Sequence, residues 1–336
     1  MRSLECRLKQ MEGSGKVVPL TLAWRAALVL SCTAGGILAT PGLARLCPAR
    51  AHQKAGFYCV LSFIGLHTIL ANNVGTIIAL WGRSSLFRLF RRPNMKQRTL
   101  LGMLTPSSNT TLEPVTAAML AGVPEASAHF GRFRVTEIAL SDSALAQFDD
   151  SEILTAAELL ADARLDVIGW NGTSSGWLGF DADERLCKRI TERTGIASCT
   201  SVLALNEIFE RTGVRRFGLV TPYRDDVQER VIATYAKAGF ECVGEQHLKL
   251  QDNFSFSEVG AEQIRAMVRE VAATKPDAIT IFCTNLAGAP LAAELEAETG
   301  IPIYDTISTV VWKSLRLAGV DTTRIKGWGR LFQDLT

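Results

Sequence analysis

Short apolar runs alternate with longer amphipathic stretches along residues 96–336. The short runs predict buried strands, and apolar residues spaced three to four positions apart predict helices. We predict strands at 100–104, 133–140, 167–170, 217–220, 241–248, 278–282 and 302–304. We predict helices at 112–120, 151–163, 181–194, 202–211, 225–238, 257–274, 286–299 and 307–318. Strands that alternate with helices are typical of an α/β fold with parallel sheets.

The same landmarks occur twice in this part of the chain. The sequence LGMLTP at 101–106 returns as FGLVTP at 217–222, which is 116 positions later. The apolar strand and polar loop at 166–174 return at 277–285, which is 111 positions later. A Thr-Gly-Ile triplet follows in both halves. The repeat predicts two similar lobes with one cleft between them.

The lobe limits follow from the repeat. We predict that residues 95–212 and 306–336 form the first α/β lobe and that 213–305 form the second. Ligands of parallel sheets bind beyond the carboxyl ends of the strands, so the loops after the repeated strands should line the cleft. At the matched loop positions the halves differ, because Gly172 stands in the first and Cys283 in the second.

Residues 1–94 differ from the rest in charge and polarity. They contain 12 basic and 2 acidic residues, a net +10, whereas the remainder has 24 basic and 32 acidic residues, a net −8. The uncharged stretch 55–82 is long enough to span a bilayer, although three polar side chains in its middle would be costly in lipid. The alternative is that Met95 starts a cytoplasmic enzyme and that 1–94 is untranslated upstream sequence. Membrane contact is expected only if 1–94 is translated.

Several kinds of site lack their usual sequence patterns. None of the eight cysteines forms a CxxC pair, and the α/β part has only His129 and His247, without metal-ligand spacing. No GxGxxG follows a strand and no GxxxxGK[ST] is present, which argues against a nucleotide site. A metal site is not indicated, and no nucleic-acid partner is expected.

Polar loops after the strands offer neutral hydrogen-bond donors. Pro106, Ser107, Ser108 and Asn109 lie in a loop of small hydroxyl and amide side chains, which could bind an anion without adding positive charge. The alternative is a run of capping residues before the helix at 112–120, although capping would account for only one or two of them.

A second loop and two single residues complete the candidate site. Gly172, Thr173 and Ser174 lie between a strand and a helix, where open backbone N–H groups attract phosphate or carboxylate. Tyr223 follows the second Thr-Pro turn, and Asn253 lies in a loop between strand and helix. Each of these two could equally be an ordinary turn residue.

Cys283 is the sharpest candidate for chemistry. It ends an apolar strand, and the helix predicted to follow would lower the pKa of its thiol. Buried cysteines are often inert, but the match with Gly172 across the repeat favours a functional role. Cys187 and Cys242 fall inside a predicted helix and a predicted strand, and together with Cys199 they are expected in the core.

In order along the chain, the Pro-Ser-Ser-Asn-Thr-Thr loop, the Thr-Pro-Tyr turn and the late strand that ends in cysteine resemble the aspartate/glutamate racemase superfamily. Within it, the chain is most similar to the maleate cis–trans isomerase and arylmalonate decarboxylase branch, over about 98–320. This resemblance implies two pseudo-symmetric Rossmann-like lobes with the substrate between them. It also implies catalysis without metal, pyridoxal phosphate or nucleotide.

The resemblance also assigns roles to single residues. By position, Asn109, Tyr223, Asn253 and Cys283 resemble the substrate-binding asparagines, the tyrosine and the second cysteine of the isomerases. The first cysteine is replaced by Gly172, and arylmalonate decarboxylases also have a Gly-Thr-Ser loop there.

Further contacts follow from the decarboxylase pattern. Thr173, Ser174 and Tyr223 then resemble donors that hold an oxyanion, and the loop from Pro106 remains a candidate for binding substrate. Thr284 and Asn285 are expected at the substrate too, although decarboxylases have glycines in their place. An apolar pocket for an aryl group is not recognisable in the sequence.

The implied activity is cofactor-independent chemistry at the α-carbon of a small carboxylate or dicarboxylate. An enediolate-like intermediate would be held by neutral donors, and Cys283 would deliver a proton to it. Without a thiol at Gly172, decarboxylation with protonation or one-base maleate isomerisation is favoured over two-base racemisation. A racemase whose first face is served by Ser175 or Asn171, and a non-catalytic carboxylate binder, stay open, as does a homo-oligomer.

Overall fold

The computed structural model describes residues 98–141 and 150–335, all within one compact unit, Arg92–Thr336. The extension 1–94 lies outside these residues, and so does the candidate membrane stretch 55–82. Within the described residues, none of the helices combines the length and the apolar character needed to cross a membrane.

The first sheet has four parallel strands in the order β2-β1-β3-β4. The strands are β1 (Thr99–Pro106), β2 (Ala126–Phe133), β3 (Val167–Trp170) and β4 (Ala197–Thr200). The helices of this half are α1 (Leu112–Leu120), α2 (Asp150–Ala161), α3 (Ser175–Leu178), α4 (Phe180–Thr194) and α5 (Ser201–Thr212).

The second sheet repeats this topology in the order β6-β5-β7-β8, again with all neighbours parallel. Its strands are β5 (Arg216–Thr221), β6 (Glu241–His247), β7 (Ala278–Ile281) and β8 (Ile303–Asp305). The helices are α6 (Asp225–Lys237), α7 (Ala261–Ala272), α8 (Ala292–Thr299), α9 (Thr306–Leu317) and α10 (Leu331–Asp334). Short 3₁₀ helices lie at Phe254–Glu258, Ala289–Leu291 and Thr322–Arg324.

The inner strand pairs of the two sheets share their pairing register, although the edge pair β5–β6 has a register shift at Phe217/Gly218 that β1–β2 lacks. Leu101 pairs with Val167 in the first sheet, and the matched Phe217 pairs with Ala278 in the second. Every residue of the inner strands β3 and β7 is buried, as expected for parallel strands covered on both faces. The predicted α/β fold with two pseudo-symmetric lobes and parallel sheets is therefore confirmed.

Residues at matched positions of the two halves also terminate and cap the corresponding helices. The helices α4 and α8 end at Gly195 and Gly300, whose φ angles of 71° and 73° are left-handed and suit glycine at a helix end. Thr200 and Asp305 then cap α5 and α9, each accepting a hydrogen bond from a backbone N–H of the first turn.

Helix α9 joins the two halves. It follows the last strand of the second sheet but packs against α5 and covers β3 and β4 of the first. The Thr309 hydroxyl donates to the carbonyl of Ser201 over 2.8 Å, and the Trp312 indole N–H donates to the carbonyl of Leu335 over 2.8 Å. This packing is compatible with the predicted lobe limits, which stay a prediction.

The strand predicted at 133–140 was wrong. The strand is β2 (Ala126–Phe133), which largely precedes this segment, and its mostly half-buried, small or polar residues give no apolar run because it lies at the edge of the sheet. Residues 134–140 instead cross towards the other half as an extended strap with a single bridge between Glu137 and Asp252. Val135 and Ile138 are buried along it, which accounts for the apolar alternation in the sequence.

Three further elements differ from prediction. Strand β4 was missed, because its exposed first half carries no apolar pattern. The helix predicted at 257–274 is split, because Gly260 separates the 3₁₀ turn from α7. The helix predicted at 286–299 begins only at Ala292, after a loop and a 3₁₀ turn that contains Pro290.

Buried Asp305 should make stability depend on pH. Burial raises the pKa of its carboxyl to about 8, so it stays protonated in the folded protein after it has ionised in the unfolded chain. Unfolding then releases a proton between about pH 4 and pH 8, and the free energy of unfolding falls as pH rises, by up to about 1.4 kcal/mol per pH unit. We expect Asp305→Asn, which keeps an oxygen for the cap, to flatten this fall in urea unfolding between pH 5 and 7.5.

Asp321→Asn is the matched control. Asp321 also caps a helix, but it is exposed and its pKa is lowered by its hydrogen bonds to Thr323. Its carboxylate therefore stays ionised in both states throughout this pH window. An Asp305→Asn slope equal to that of the parent or of this control would contradict the assignment.

Candidate active site

The loops that follow β1, β3, β5 and β7 meet between the two sheets and enclose a small cavity. Its volume is about 20 Å³, which is room for roughly one water molecule. Its polar lining consists of Thr173, Ser174, Tyr223, Asn253, Cys283 and Thr284. Its remaining lining consists of Pro106, Val135, Ile138, Trp170, Gly172 and Trp177. The cleft predicted between the repeated loops is therefore present, in a closed form.

Four predicted substrate-binding residues do not line this cavity: Ser107, Ser108, Asn109 and Asn285. Asn109 is buried, and its side-chain oxygen accepts from the N–H groups of Thr111 and Leu112 over 3.0 and 2.9 Å, which caps α1. Its amide N–H donates to the carbonyl of Thr284 over 2.9 Å. Asn109 therefore holds the two lobes together, with both ends of its amide engaged.

Thr284 and Asn285 of the second lobe make further hydrogen bonds to the first lobe. Together with the Asn109 contact, these bonds form what we call the seam. The Thr284 hydroxyl donates to the carbonyl of Asn171 over 3.0 Å. The Asn285 amide donates to the carbonyl of Asn253 over 2.6 Å, and its oxygen accepts from the N–H of Thr110 over 3.0 Å. Side chains that the sequence predicted as substrate ligands thus fix one lobe against the other.

The two serines position the strap. Both hydroxyls donate to the carbonyl of Val135, over 3.3 Å from Ser107 and 2.8 Å from Ser108. The Asn253 amide donates in turn to the Ser108 hydroxyl over 2.9 Å. These contacts hold Val135 and Asn253 at the cavity.

Three predicted residues from both lobes come together at the cavity. The hydroxyls of Thr173 and Tyr223 share a hydrogen bond of 2.6 Å, and Tyr223 is almost fully buried. The Tyr223 hydroxyl also interacts with the thiol of Cys283, which lowers the pKa of that thiol. Two neutral donors and one thiol therefore face the same small space.

The cysteine is a neutral thiol in this closed form. Only 3% of Cys283 is exposed, and burial raises the pKa of its thiol to about 12 against the opposing effects of the Asn285 N–H and of Tyr223. The sequence predicted the opposite shift from a nearby helix N-terminus, and that prediction was wrong because α8 begins nine residues later. A protonated thiol can give a proton to a carbanion but is a weak nucleophile.

Gly172 and Trp170 form part of the first-lobe wall of the cavity. Trp170 ends β3, and its indole carbons lie 1.9 to 2.5 Å from the place that a Cβ at position 172 would occupy. The indole therefore fills the space that a first-lobe side chain would take. Ser175 and Asn171 do not line the cavity, and the Asn171 amide donates to the backbone carbonyls of Leu104 and Gly169.

Among the residues that the structure describes, no charged side chain lines the cavity, so these residues would hold a carboxylate with neutral donors. Among the described residues, no group of three His, Cys, Asp or Glu could hold a metal ion. Sequence reasoning missed the apolar wall of Val135, Ile138, Trp170 and Trp177. One signal was available, because residues two apart on a strand face the same side and Trp170 precedes Gly172 by two.

The fold and this site define a class of two-lobed α/β enzymes with a cleft cysteine. The sequence model of the arylmalonate decarboxylase family matches residues 101–332, and the chain belongs to this family.

Relatives in sequence include isomerases and a decarboxylase. The maleate isomerase of Nocardia farcinica is 26% identical over 240 residues, which are 69% of this chain and 95% of the relative. The arylmalonate decarboxylase of Bordetella bronchiseptica is 30% identical over 171 residues, which are 50% of this chain and 71% of the relative. The chain is accordingly an enzyme of the isomerase and decarboxylase kind.

Solved structures show the same architecture. The Nocardia farcinica maleate cis–trans isomerase bound to TRIS has a TM-score of 0.65 at 26% identity and covers 70% of this chain and 98% of its own. An arylmalonate decarboxylase structure has a TM-score of 0.56 at 22% identity, covering 69% of this chain and 98% of its own, and shares the fold.

The contact between Trp170 and Gly172 predicts a coupled effect on stability. Gly172→Ala should lower the free energy of unfolding by about 1–3 kcal/mol, because the new Cβ overlaps the indole. The same change in a Trp170→Leu background should cost less, which a double-mutant cycle in urea measures. Gly260→Ala is the control, since a Cβ there meets no atom within 4 Å. Additive effects of the two changes would contradict the contact.

The raised pKa predicts slow alkylation of the thiol. At pH 7, Cys283 should react with iodoacetamide at least tenfold more slowly than a free cysteine, because nearly all of it is protonated and buried. Peptide mass spectrometry over time reports this cysteine separately from the others. Modification at the rate of a free thiol would show that the site is open or that the thiol is ionised.

Proposed function

We propose that this enzyme acts at the α-carbon of a small dicarboxylate without a cofactor and uses Cys283 as its single proton donor. The observation that carries the proposal is the asymmetry of the cavity. The second lobe supplies the neutral thiol of Cys283, whereas the matched first-lobe position is Gly172, where the Trp170 indole fills the place of a side chain; the Tyr223–Thr173 hydroxyl pair joins the two lobes beside the thiol.

The favoured reaction is decarboxylation of a malonate followed by protonation. The bond between the α-carbon and one carboxylate breaks, CO₂ leaves, and the electron pair stays on the α-carbon as an enediolate. Thr173, Ser174 and Tyr223 would hold its oxygens, and one such donor is typically worth about 3–4 kcal/mol in a site shielded from water. The thiol proton of Cys283 then forms the new C–H bond, and the thiolate takes a proton back from solvent.

The absence of charge suits this chemistry. The enediolate carries more negative charge on its oxygens than the carboxylate from which it forms, so donors to these oxygens bind the transition state more strongly than the substrate, which is the binding that accelerates a reaction. The Thr173 and Tyr223 hydroxyls are positioned in advance by the hydrogen bond between them. The neutral, burial-stabilised thiol is the protonation state that a general acid needs.

One-base isomerisation of maleate is the second candidate. It is favoured by the relatives, since several are maleate isomerases and a cysteine-to-serine variant of the Nocardia farcinica enzyme has been solved with a covalently bound succinylcysteine intermediate. Two-base racemisation within the aspartate/glutamate racemase superfamily, to which we assign the chain, lacks a first-lobe base because Trp170 occupies its place.

Proton NMR in D₂O of the full chain tests the proposal. With a panel of substituted malonates and maleate, we expect loss of one malonate and deuterium at the new α-carbon. Cys283→Ala should lower the rate by about 10²–10⁴, the usual worth of a positioned general acid. Cys242→Ala is the matched control, because this half-buried thiol in β6 does not line the cavity and should leave turnover unchanged.

The other outcomes are equally specific. Full turnover by Cys283→Ala would refute the single-thiol mechanism. Conversion of maleate to fumarate without loss of CO₂ would select the isomerase. Binding without turnover of any compound in the panel would indicate a carboxylate-binding protein and contradict an enzyme of this mechanism.

A further inference from the structure

Trp170 is part of the first-lobe wall of the cavity. It is 1% exposed and lines the cavity together with Gly172. The ring lies where any side chain at Gly172 would have to be. The sequence predicted only a glycine at this wall, and the structure places an indole in front of it.

The indole is held by packing. It lies against Phe133 with 5.1 Å between ring centroids and 50° between planes. A large buried ring is costly to displace, because protein cores are close-packed.

The position of the ring bears directly on what the substrate can carry. In the proposed reaction Cys283 approaches the α-carbon from the second lobe, so the other substituents of that carbon point towards the first lobe or along the apolar wall. The indole lines that wall and fills the place that a side chain at position 172 would take. A hydrogen or a methyl group can be accommodated by small shifts, but a phenyl ring cannot unless Trp170 moves.

We infer that Trp170 is a specificity-determining residue that restricts this enzyme to acids with a small α-substituent and excludes aryl-substituted malonates. The inference rests on the proposed function for the orientation of the substrate, but it concerns binding and can be measured without turnover. It also explains why no aryl pocket was recognisable in the sequence. An apolar wall is present, but the Trp170 indole takes the space that an aryl group would need.

Isothermal titration of the full chain in a Cys283→Ala background tests this with two probes, methylmalonate and phenylmalonate. The parent should bind methylmalonate at least tenfold more tightly than phenylmalonate. Trp170→Leu, which keeps an apolar residue at the end of β3, should shift the ratio of the two Kd values at least tenfold towards phenylmalonate. Trp170→Phe serves if the leucine variant does not fold, and a smaller shift in the same direction is expected.

Trp177→Leu is the matched control. Trp177 also lines the cavity, but its indole packs edge-on against Tyr223 with 5.5 Å between centroids and does not lie over Gly172. It should leave the ratio of Kd values within about threefold of the parent. An equal shift in this variant would mean that any enlargement of the cavity admits the ring, and would overturn a specific role for Trp170.

Three results would contradict the inference. Phenylmalonate could bind the parent as tightly as methylmalonate does, or the ratio of Kd values could be unchanged in folded Trp170 variants. The third is that neither acid binds to any variant. Turnover measured with Cys283 intact distinguishes failure of this inference from failure of the proposed function. A shifted ratio of Kd values without turnover of any acid would support the role of Trp170 and contradict the proposed reaction. Cys283-dependent turnover with an unshifted ratio would support the reaction and contradict the role of Trp170.

Discussion

The hydrogen bonds that cross between the two lobes are the constraint on which the site depends. Thr284 accepts from Asn109 of the first lobe and donates to the carbonyl of Asn171, while Asn285 accepts from the backbone of Thr110. These groups are buried, so each would cost free energy if it lost its partner. Because Thr284 follows Cys283 directly, the same bonds that join the lobes also fix the thiol.

Closure of the lobes sets the chemistry that the cavity can support. Burial of the thiol disfavours its charged form, and the same burial strengthens the neutral donors that face it. A site with no charged lining group can therefore still stabilise an anion that develops inside it.

The repeat makes the departure from symmetry informative. The sheets agree in strand order, in the register of their inner strand pairs and in the helix caps at Thr200 and Asp305, yet the matched positions Gly172 and Cys283 share no chemistry. On the first side an indole excludes a second base, and on the second side a thiol is retained. One reactive face in a symmetric scaffold fits protonation from a single direction.

The sequence by itself determined the fold class, the two-lobe repeat and the loops that meet at the cavity, because strand periodicity and strand-end position are local properties. It also pointed to Cys283, Tyr223, Thr173 and Asn253, which the structure brings together. Only the tertiary structure decided that Asn109 and Asn285 form hydrogen bonds in the seam between the lobes, since a loop amide can bind a ligand or a neighbouring segment of the chain equally well. It likewise decided the protonated state of Cys283 and the place of Trp170, because burial and ring orientation depend on neighbours that are distant in sequence.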